Sequence, residues 1–188
     1  MRIIAGRLKG KRLVAPDGRD VRPTSDRLRE TLFNVLAQDV PGGRILDGFA
    51  GTGAIGLEAL SRGAASVVFI ERDARALRAL ESNIQSCGVA EACVIIRDDF
   101  LAARLGVQPS QEIDVPPFDL VLLDPPYSID VDEAQRVVER AATLVTRTGR
   151  VVFEHSRRRP SPDQAGDVMR YRVITAGDSA LSFYAAQA

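Results

Sequence analysis

Short apolar segments alternate with helical patterns through most of this chain, and that alternation restricts the fold more than any other feature. Apolar runs of strand length, bounded by turn residues, predict strands at 45–49, 66–71, 92–96, 118–124 and 150–153. Helical periodicity with capping residues predicts helices at 54–62, 73–88, 101–105 and 130–149. Five strands that alternate with four helices predict an α/β protein with a parallel, doubly wound sheet and helices on both faces.

The two ends of the chain depart from this alternation. Residues 168–175 and 180–186 predict two strands that form an antiparallel pair and close the sheet. Residues 1–22 predict a small hairpin, and residues 24–38 predict a capped helix. The expected organisation is an N-terminal arm at 1–40 and a main domain at 41–188.

Positive charge is concentrated in this arm. The chain carries 25 basic and 25 acidic residues, but residues 1–30 hold nine basic and four acidic ones. A local excess of this kind is typical of a surface that binds nucleic acid, although a merely solvated basic surface is the commoner case. Arg22 and Arg27 fit a role at a helix end or in an ion pair as well as they fit contact with nucleic acid. The basic residues predicted to contact nucleic acid are Arg2, Arg7, Lys9, Lys11, Arg12, Arg22 and Arg27.

Cysteine and histidine content narrows the chemistry. Cys87 and Cys93 lack metal-ligand spacing and fit small buried side chains in a reducing compartment. His155 is the only histidine, which leaves this chain without a histidine-based triad or a histidine-rich metal site. No apolar stretch approaches the length of a membrane span, and the N-terminus has no apolar signal core. The sequence therefore predicts a cytoplasmic, monomeric protein that needs no metal.

The tetrapeptide Asp124-Pro125-Pro126-Tyr127 ends the predicted strand at 118–124. Open α/β sheets bind their ligands at this end of their strands. The two prolines stiffen the turn and leave carbonyl acceptors, and the tyrosine offers a flat face for stacking. A carboxylate, a rigid carbonyl and an aromatic ring together suit a flat ring that carries an exocyclic amine. These four residues are the predicted catalytic motif.

A glycine-rich loop joins the first core strand to its helix. Gly51, Gly53 and Gly56 match the G-x-G-x-x-G pattern, which alone would suggest a dinucleotide. Asp47 argues against NAD, because two like charges about 4 Å apart repel by about 4 kcal/mol at an effective dielectric near 20. The same carboxylate would attract the ammonium group of S-adenosylmethionine, directly or through water, while glycine amides bind its carboxylate.

Acidic residues also end the next two predicted strands. Glu71 could accept both ribose hydroxyls of either cofactor class, or could be an ordinary acid at a strand end. Asp98 could accept the adenine amine, with Phe100 against the ring. Asp98 or Asp99 could equally be the N-cap of the following helix.

Three segments together resemble the RsmD family of bacterial methyltransferases, which methylate N2 of one guanine in 16S ribosomal RNA. They are RPTSDRLRETLFN at 22–34, the loop at 47–56 with LEALSRGA at 57–64, and the motif at 124–127. The glycine loop is common to many methyltransferases, and the Asp-Pro-Pro-Tyr motif to amino-group methyltransferases generally. The segment at 22–34 therefore specifies the family, and the resemblance covers nearly the whole chain.

This resemblance implies a Rossmann-like, class I methyltransferase fold with a seven-stranded sheet whose last strand is antiparallel. It also implies S-adenosylmethionine as the methyl donor, and 16S rRNA in the small ribosomal subunit or its assembly intermediate as the substrate. Arg22, Thr24 and Arg27 would lie near the cofactor or a flipped guanine. The residues predicted to bind the cofactor are Asp47, Phe49, Gly51, Gly53, Glu71, Arg72, Asp98, Asp99, Phe100 and Asp124.

Other functions fit parts of the pattern. A DNA adenine-N6 methyltransferase would use the same motif at 124–127, but usually with a target-recognition domain for which this chain has little room. Protein glutamine methyltransferases carry asparagine where Asp124 stands. A nicotinamide-dependent oxidoreductase is suggested only by the glycines, and a non-catalytic RNA-binding module would leave the tetrapeptide unexplained.

Overall fold

The computed structural model describes residues 1–15, 26–106, 113–114 and 117–186. These residues belong to two compact units, which divide after Asp99. The predicted α/β class is confirmed, with parallel strands in the first unit and antiparallel strands toward the C-terminus of the second. Within the described ranges, every helix is too short or too polar to cross a membrane.

The first unit is a parallel sheet with its helices. Its elements are α1 (Asp26–Val35), β1 (Arg44–Asp47), α2 (Ala54–Ser61), β2 (Ser66–Ile70), α3 (Ala74–Cys87), a 3-10 turn (Ala90–Ala92) and β3 (Cys93–Ile96). The strand order is β3–β2–β1. β1 and β2 are buried along nearly their whole length, as strands covered on both faces must be. Asp73 caps α3 by accepting two backbone N–H groups, and Gly88 ends it in the left-handed conformation.

The predicted N-terminal hairpin is confirmed. Arg2 and Arg12 form an antiparallel bridge, and the backbone N–H of Ile3 donates to the carbonyl of Lys11 at 3.0 Å. Ile3 and Leu13 are buried and hold the hairpin on the first unit. The predicted start of the first helix lies outside the described residues, which resume at Asp26. The arm boundary at residue 40 stays a prediction.

The second unit combines two parallel strands with an antiparallel extension. Its elements are β4 (Leu105–Gly106), β5 (Ile113–Asp114), β6 (Phe118–Leu123), α4 (Val131–Ala142), β7 (Val145–Ser156), β8 (Gln164–Ala165), β9 (Val168–Ala176) and β10 (Ser179–Ala186). The order is β6–β7–β10–β9–β8, and β4 pairs with β5 separately. β9 and β10 form the expected antiparallel pair. The short β8 is an addition to the strands that the resemblance implied.

The helix predicted at 130–149 is shorter than expected, because α4 ends at Ala142 and β7 begins at Val145. β7 pairs Val145 with Phe118 but Arg150 with Leu120, so its first residues include a bulge. Gly149 lies in this bulge instead of ending a helix. A Cβ added there would come within 3.0 Å of the Phe118 carbonyl oxygen, so close backbone approach requires glycine.

The short helix predicted at 101–105 is wrong. A turn occupies its start, and β4 begins at Leu105. The guanidinium of Arg140 donates to the carbonyl oxygens of Phe100, at 2.9 Å, and of Ala103. Those carbonyls would otherwise accept the backbone hydrogen bonds of a helix, so tertiary contacts replace the local structure.

Candidate functional site

The glycine-rich loop wraps the N-terminus of α2. Gly53 is the N-cap of that helix, and its φ of 80° is accessible mainly to glycine. Gly51 also has a positive φ, of 54°. A Cβ placed on Gly51 would meet no heavy atom within 4 Å, whereas one on Gly53 would come within 2.4 Å of Leu80. Gly53 is therefore packed against the fold, and Gly51 exposes its backbone to open space.

Asp47 stabilises this loop and the start of α2 through a buried hydrogen bond. Its side chain is 1% exposed, and Oδ2 accepts the backbone N–H of Gly56 at 2.9 Å. Gly56 is the third residue of α2. Its amide needs an acceptor from outside the helix, because the N-cap Gly53 has no side chain, and Asp47 supplies that acceptor. Direct contact between Asp47 and an ammonium group would require this carboxyl group to become exposed. The structure favours a supporting role or contact through water.

Glu71 ties the end of β2 to the same loop. Its Oε2 accepts the backbone N–H of Gly51 at 2.7 Å. Its Oε1 accepts the backbone N–H groups of Arg72 at 2.8 Å and Asp73 at 2.7 Å. Half-buried Glu71 therefore fixes the position of Gly51, a role that sequence reasoning did not include. Phe49 is likewise half-buried in this loop.

The two acidic residues after β3, Asp98 and Asp99, lie in different environments. Asp99 accepts a hydrogen bond from the Arg72 guanidinium at 2.6 Å, whereas Asp98 is exposed and accepts the backbone N–H of Asp99. Residues 100–106 form a turn and the start of a strand, so an N-cap role for either residue at the predicted helix is wrong. Exposure favours Asp98 over Asp99 as a ligand contact. Phe100 is 1% exposed, which favours a packing role over contact with an adenine ring.

The N-terminal hairpin is anchored by buried polar residues that sequence reasoning missed. Glu58 in α2 is fully buried and accepts the backbone N–H groups of Ile4 at 2.7 Å and Ala5 at 3.0 Å. Arg29 in α1 is also fully buried and donates to the carbonyl oxygen of Arg2 at 2.6 Å. The available signal was a charged residue inside the otherwise apolar helix around Glu58.

Asn83 connects the end of the hairpin to the glycine-rich loop. Its Oδ1 accepts the backbone N–H of Val14 at 2.8 Å, and its Nδ2 donates to the carbonyl of Val14 at 3.0 Å. The same Nδ2 donates to the carbonyl of Thr52 at 2.9 Å. Asn83 is fully buried on the core face of α3, where an amide among apolar residues was the only sequence signal.

The hairpin turns its positive charge outward. The Lys11 side chain donates to the carbonyl oxygen of Ser86 in α3 at 2.6 Å. The Arg7 side chain donates to the carbonyl oxygen of Leu60 in α2 at 3.5 Å. Arg22 and Thr24 lie outside the described residues. The described basic residues that were predicted to contact RNA are all exposed, namely Arg2, Arg7, Lys9, Lys11, Arg12 and Arg27.

In the second unit, the tetrapeptide forms the turn that follows β6. Asp124 is half-buried, Pro125 is buried and Pro126 is exposed. The backbone N–H of Ile129 donates to the Pro126 carbonyl at 3.2 Å and closes the turn. A carboxyl group therefore stands at the carboxyl end of a buried strand beside a rigid turn, as the sequence predicts.

The hydroxyl of Tyr127 fixes its ring in place. It donates to Glu154 Oε1 at 3.0 Å and lies 2.5 Å from Ser179 Oγ. Burial, together with the negative charges of Glu154 and Asp124, raises the pKa of Tyr127 to about 12. The phenol therefore stays protonated at neutral pH and holds the aromatic face at a fixed position.

Arg159, in the segment that follows β7, stabilises the same turn. Its guanidinium donates to the carbonyl oxygens of Tyr127 at 3.2 Å, Ser128 at 3.3 Å and Ile129 at 2.8 Å. A cavity of about 340 Å³, counting space open to solvent, lies beside this turn. Its walls come from the last three residues of the tetrapeptide, the start of α4, the end of β7 and the segment at 159–160.

His155 lies in this wall in a defined tautomer. Nδ1 lies 2.8 Å from the carbonyl oxygen of Arg159 and must donate, so Nε2 accepts from Ser182 Oγ at 2.9 Å. Ser161 in turn donates to Ser182 at 2.7 Å. Burial lowers the pKa of His155 below its ordinary value of 6.5. The imidazole is therefore neutral at pH 7.

This lowered pKa should make folding stability depend on pH. As the pH falls below 6.5, the unfolded chain binds a proton at His155 before the folded chain does, so the stabilising contribution present above 6.5 is lost. We expect the free energy of unfolding, measured with urea, to fall between pH 7.5 and 5.5, by at most about 1.4 kcal/mol per pH unit from this group. His155→Gln should reduce the dependence of the unfolding free energy on pH. The same dependence in both proteins would contradict a lowered pKa at His155.

Known proteins share both the sequence and the fold. The family model described as Conserved hypothetical protein 95 matches residues 1–185. The "Putative rRNA methyltransferase YlbH" of Bacillus subtilis is 34% identical over 184 residues, covering 98% of each chain. The "Ribosomal RNA small subunit methyltransferase D" of Haemophilus influenzae is 42% identical over 137 residues, covering 71% of this chain and 67% of the relative. The solved structure named "Putative methyltransferase yhhF from Escherichia coli" has a TM-score of 0.82 at 29% identity, over 100% of this chain and 98% of that one.

Proposed function

The chain belongs to the RsmD family of ribosomal RNA small subunit methyltransferases, and we propose that it methylates the exocyclic N2 of one guanine in 16S rRNA with S-adenosylmethionine as donor. The observation that carries this proposal is Asp124, a half-buried carboxyl group at the end of β6 beside the rigid turn and the tethered ring of Tyr127. The substrate is the small ribosomal subunit or an assembly intermediate of it. The nicotinamide alternative does not fit a methyltransferase family.

The glycine-rich loop fits a cofactor of this kind. Open space beside Gly51 and the N-terminus of α2 suit the carboxylate of an amino acid. Glu71 and exposed Asp98 offer acceptors for ribose hydroxyls and for an adenine amine. When bound, S-adenosylmethionine supplies an electrophilic methyl group on a sulfonium.

Asp124 and the Pro125 carbonyl would activate the acceptor amine. The N2 lone pair of guanine is delocalised into the ring, which makes this nitrogen a poor nucleophile. Hydrogen bonds from the two N2–H groups to the Asp124 carboxyl and the Pro125 carbonyl draw the nitrogen toward tetrahedral geometry and localise its lone pair. The nitrogen–carbon bond then forms as the carbon–sulfur bond breaks, and catalysis comes mainly from orientation and electrostatics.

Methylation leaves a positive charge on N2, and one N2 proton passes to Asp124 or to water.

The target base must leave its stack to reach the turn, and Tyr127 replaces part of the lost stacking. Hydrogen bonding of the Tyr127 hydroxyl fixes that ring before the base arrives, so less ordering is needed on binding.

Transfer of labelled methyl groups to three acceptors tests the proposal. The purified protein is incubated with methyl-labelled S-adenosylmethionine and with unmethylated small subunits, duplex DNA or unmethylated cell protein. We expect label in the small-subunit RNA alone, and Asp124→Ala should abolish it. Label in DNA would support the adenine-N6 alternative, and label in protein or in no acceptor would contradict the proposal.

A further inference from the structure

The cavity beside the Tyr127 turn has a carboxyl group in its wall. Glu154 lines this cavity, is 5% exposed and is the acidic residue at the end of β7. Pro125, Pro126 and Phe153 supply apolar walls suited to a flat ring.

Strand register places Glu154 level with Asp124. β6 and β7 are parallel, and their last pair joins Leu123 to Phe153. Asp124 directly follows Leu123, and Glu154 directly follows Phe153. Adjacent strands lie about 4.8 Å apart. Two carboxyl groups therefore occupy matching positions at the same end of the sheet. They can contact adjacent donors on one edge of a base.

Guanine is the standard nucleobase that suits two such acceptors. Its N1–H and its N2 amino group are adjacent donors, whereas adenine and cytosine place an unprotonated ring nitrogen beside their amino groups. A carboxylate accepts hydrogen bonds but donates none, so it attracts N1–H and repels a ring-nitrogen lone pair.

We propose that Glu154 is the specificity-determining residue that accepts the N1–H of guanine while Asp124 holds N2. This inference rests on the proposed function, and it gives a physical reason for guanine to be chosen over adenine. Glu154 already accepts the Tyr127 hydroxyl at 3.0 Å. A carboxylate can accept about four hydrogen bonds, so Glu154 can hold the tyrosine and the base together.

An analogue that lacks N1–H tests this role. Once the methylated guanine has been located, small-subunit RNA is ligated with either guanine or 2-aminopurine at that position. 2-Aminopurine keeps the 2-amino group but carries a lone pair at N1. We expect wild-type kcat/KM to favour guanine by about 10-fold or more. In Glu154→Gln, whose amide can donate to N1 or accept from N1–H, the preference should shrink to within about threefold.

The matched control is Ser179→Ala. Ser179 Oγ also contacts the Tyr127 hydroxyl but is not part of the cavity wall, so this variant disturbs the tyrosine without removing the carboxyl group. It should keep the wild-type preference for guanine. If Glu154→Gln does not fold, Glu154→Met takes its place and should lose the preference through loss of the acceptor.

Several outcomes would overturn the inference while leaving the proposed function intact. One is a wild-type enzyme that methylates both RNAs equally well. Another is a Glu154 variant that keeps the full preference, and a third is a Ser179→Ala variant that loses it to the same extent. Failure of the wild-type enzyme to methylate the guanine RNA would instead contradict the proposed function itself.

Discussion

Replacing Asp124 with asparagine is expected to slow single-turnover methyl transfer by about 100-fold or more, with cofactor affinity changed by less than about threefold. The amide keeps the size of the side chain but removes the negative charge that draws N2 toward tetrahedral geometry. Asp124→Ala, which removes the acceptor altogether, should be slower still. Rates come from rapid-quench measurement with enzyme in excess over RNA, and affinity comes from calorimetry with S-adenosylhomocysteine.

Asp119→Asn is the matched control for this prediction. Asp119 is a half-buried carboxyl group on the same strand, β6, about 17 Å away along an extended chain. This variant should retain methyl transfer within a few-fold of wild type. A wild-type single-turnover rate in Asp124→Asn, or an equal loss in Asp119→Asn, would rule out the assigned role of Asp124.

Neutralising the exposed face of the hairpin should produce the second large effect, a loss of RNA affinity. We expect the triple variant Arg2→Gln, Lys9→Gln and Arg12→Gln to bind small-subunit RNA about 10- to 100-fold more weakly at low salt. If these three cations contact phosphates, the slope of log affinity against log salt concentration should decrease by about 2, as expected for three contacts to single strands. Filter binding at several salt concentrations measures both quantities.

A control with the same change in net charge separates the hairpin from general electrostatics. Arg75, Arg78 and Arg136 are exposed on α3 and α4. Their triple glutamine variant should keep most of the RNA affinity, and cofactor binding should be unchanged in both triple variants. Equal losses of RNA affinity in the two triple variants would contradict a dedicated hairpin interface.

The α/β class, the hairpin and most elements could be predicted because their signals are local. Apolar runs of strand length, Asp73 as an N-cap and Gly88 as a C-cap all act within a few residues of the chain. The motif at 124–127 was predictable for the same reason, since strand and turn are adjacent in sequence. The predictions failed at α4 and β7, where the bulge opposite Phe118 depends on a neighbouring strand.

The residues that sequence reasoning missed act over long distances in the chain. Glu58 binds backbone groups 53 and 54 residues away, and Asn83 binds Val14 across 69 residues. Glu154 meets Tyr127 only because β7 brings it to the end of β6. A buried polar residue in an apolar segment signals that a partner exists, but the sequence pattern does not identify the partner.

Identification of the methylated nucleoside is the decisive test of guanine-N2 methylation. Unmethylated small subunits are treated with the enzyme and S-adenosylmethionine, and their 16S rRNA is digested to nucleosides for chromatography and mass spectrometry against standards. We expect N2-methylguanosine to be the only new nucleoside, in one copy per subunit. N6-methyladenosine, or a methyl group on any other atom, would contradict it.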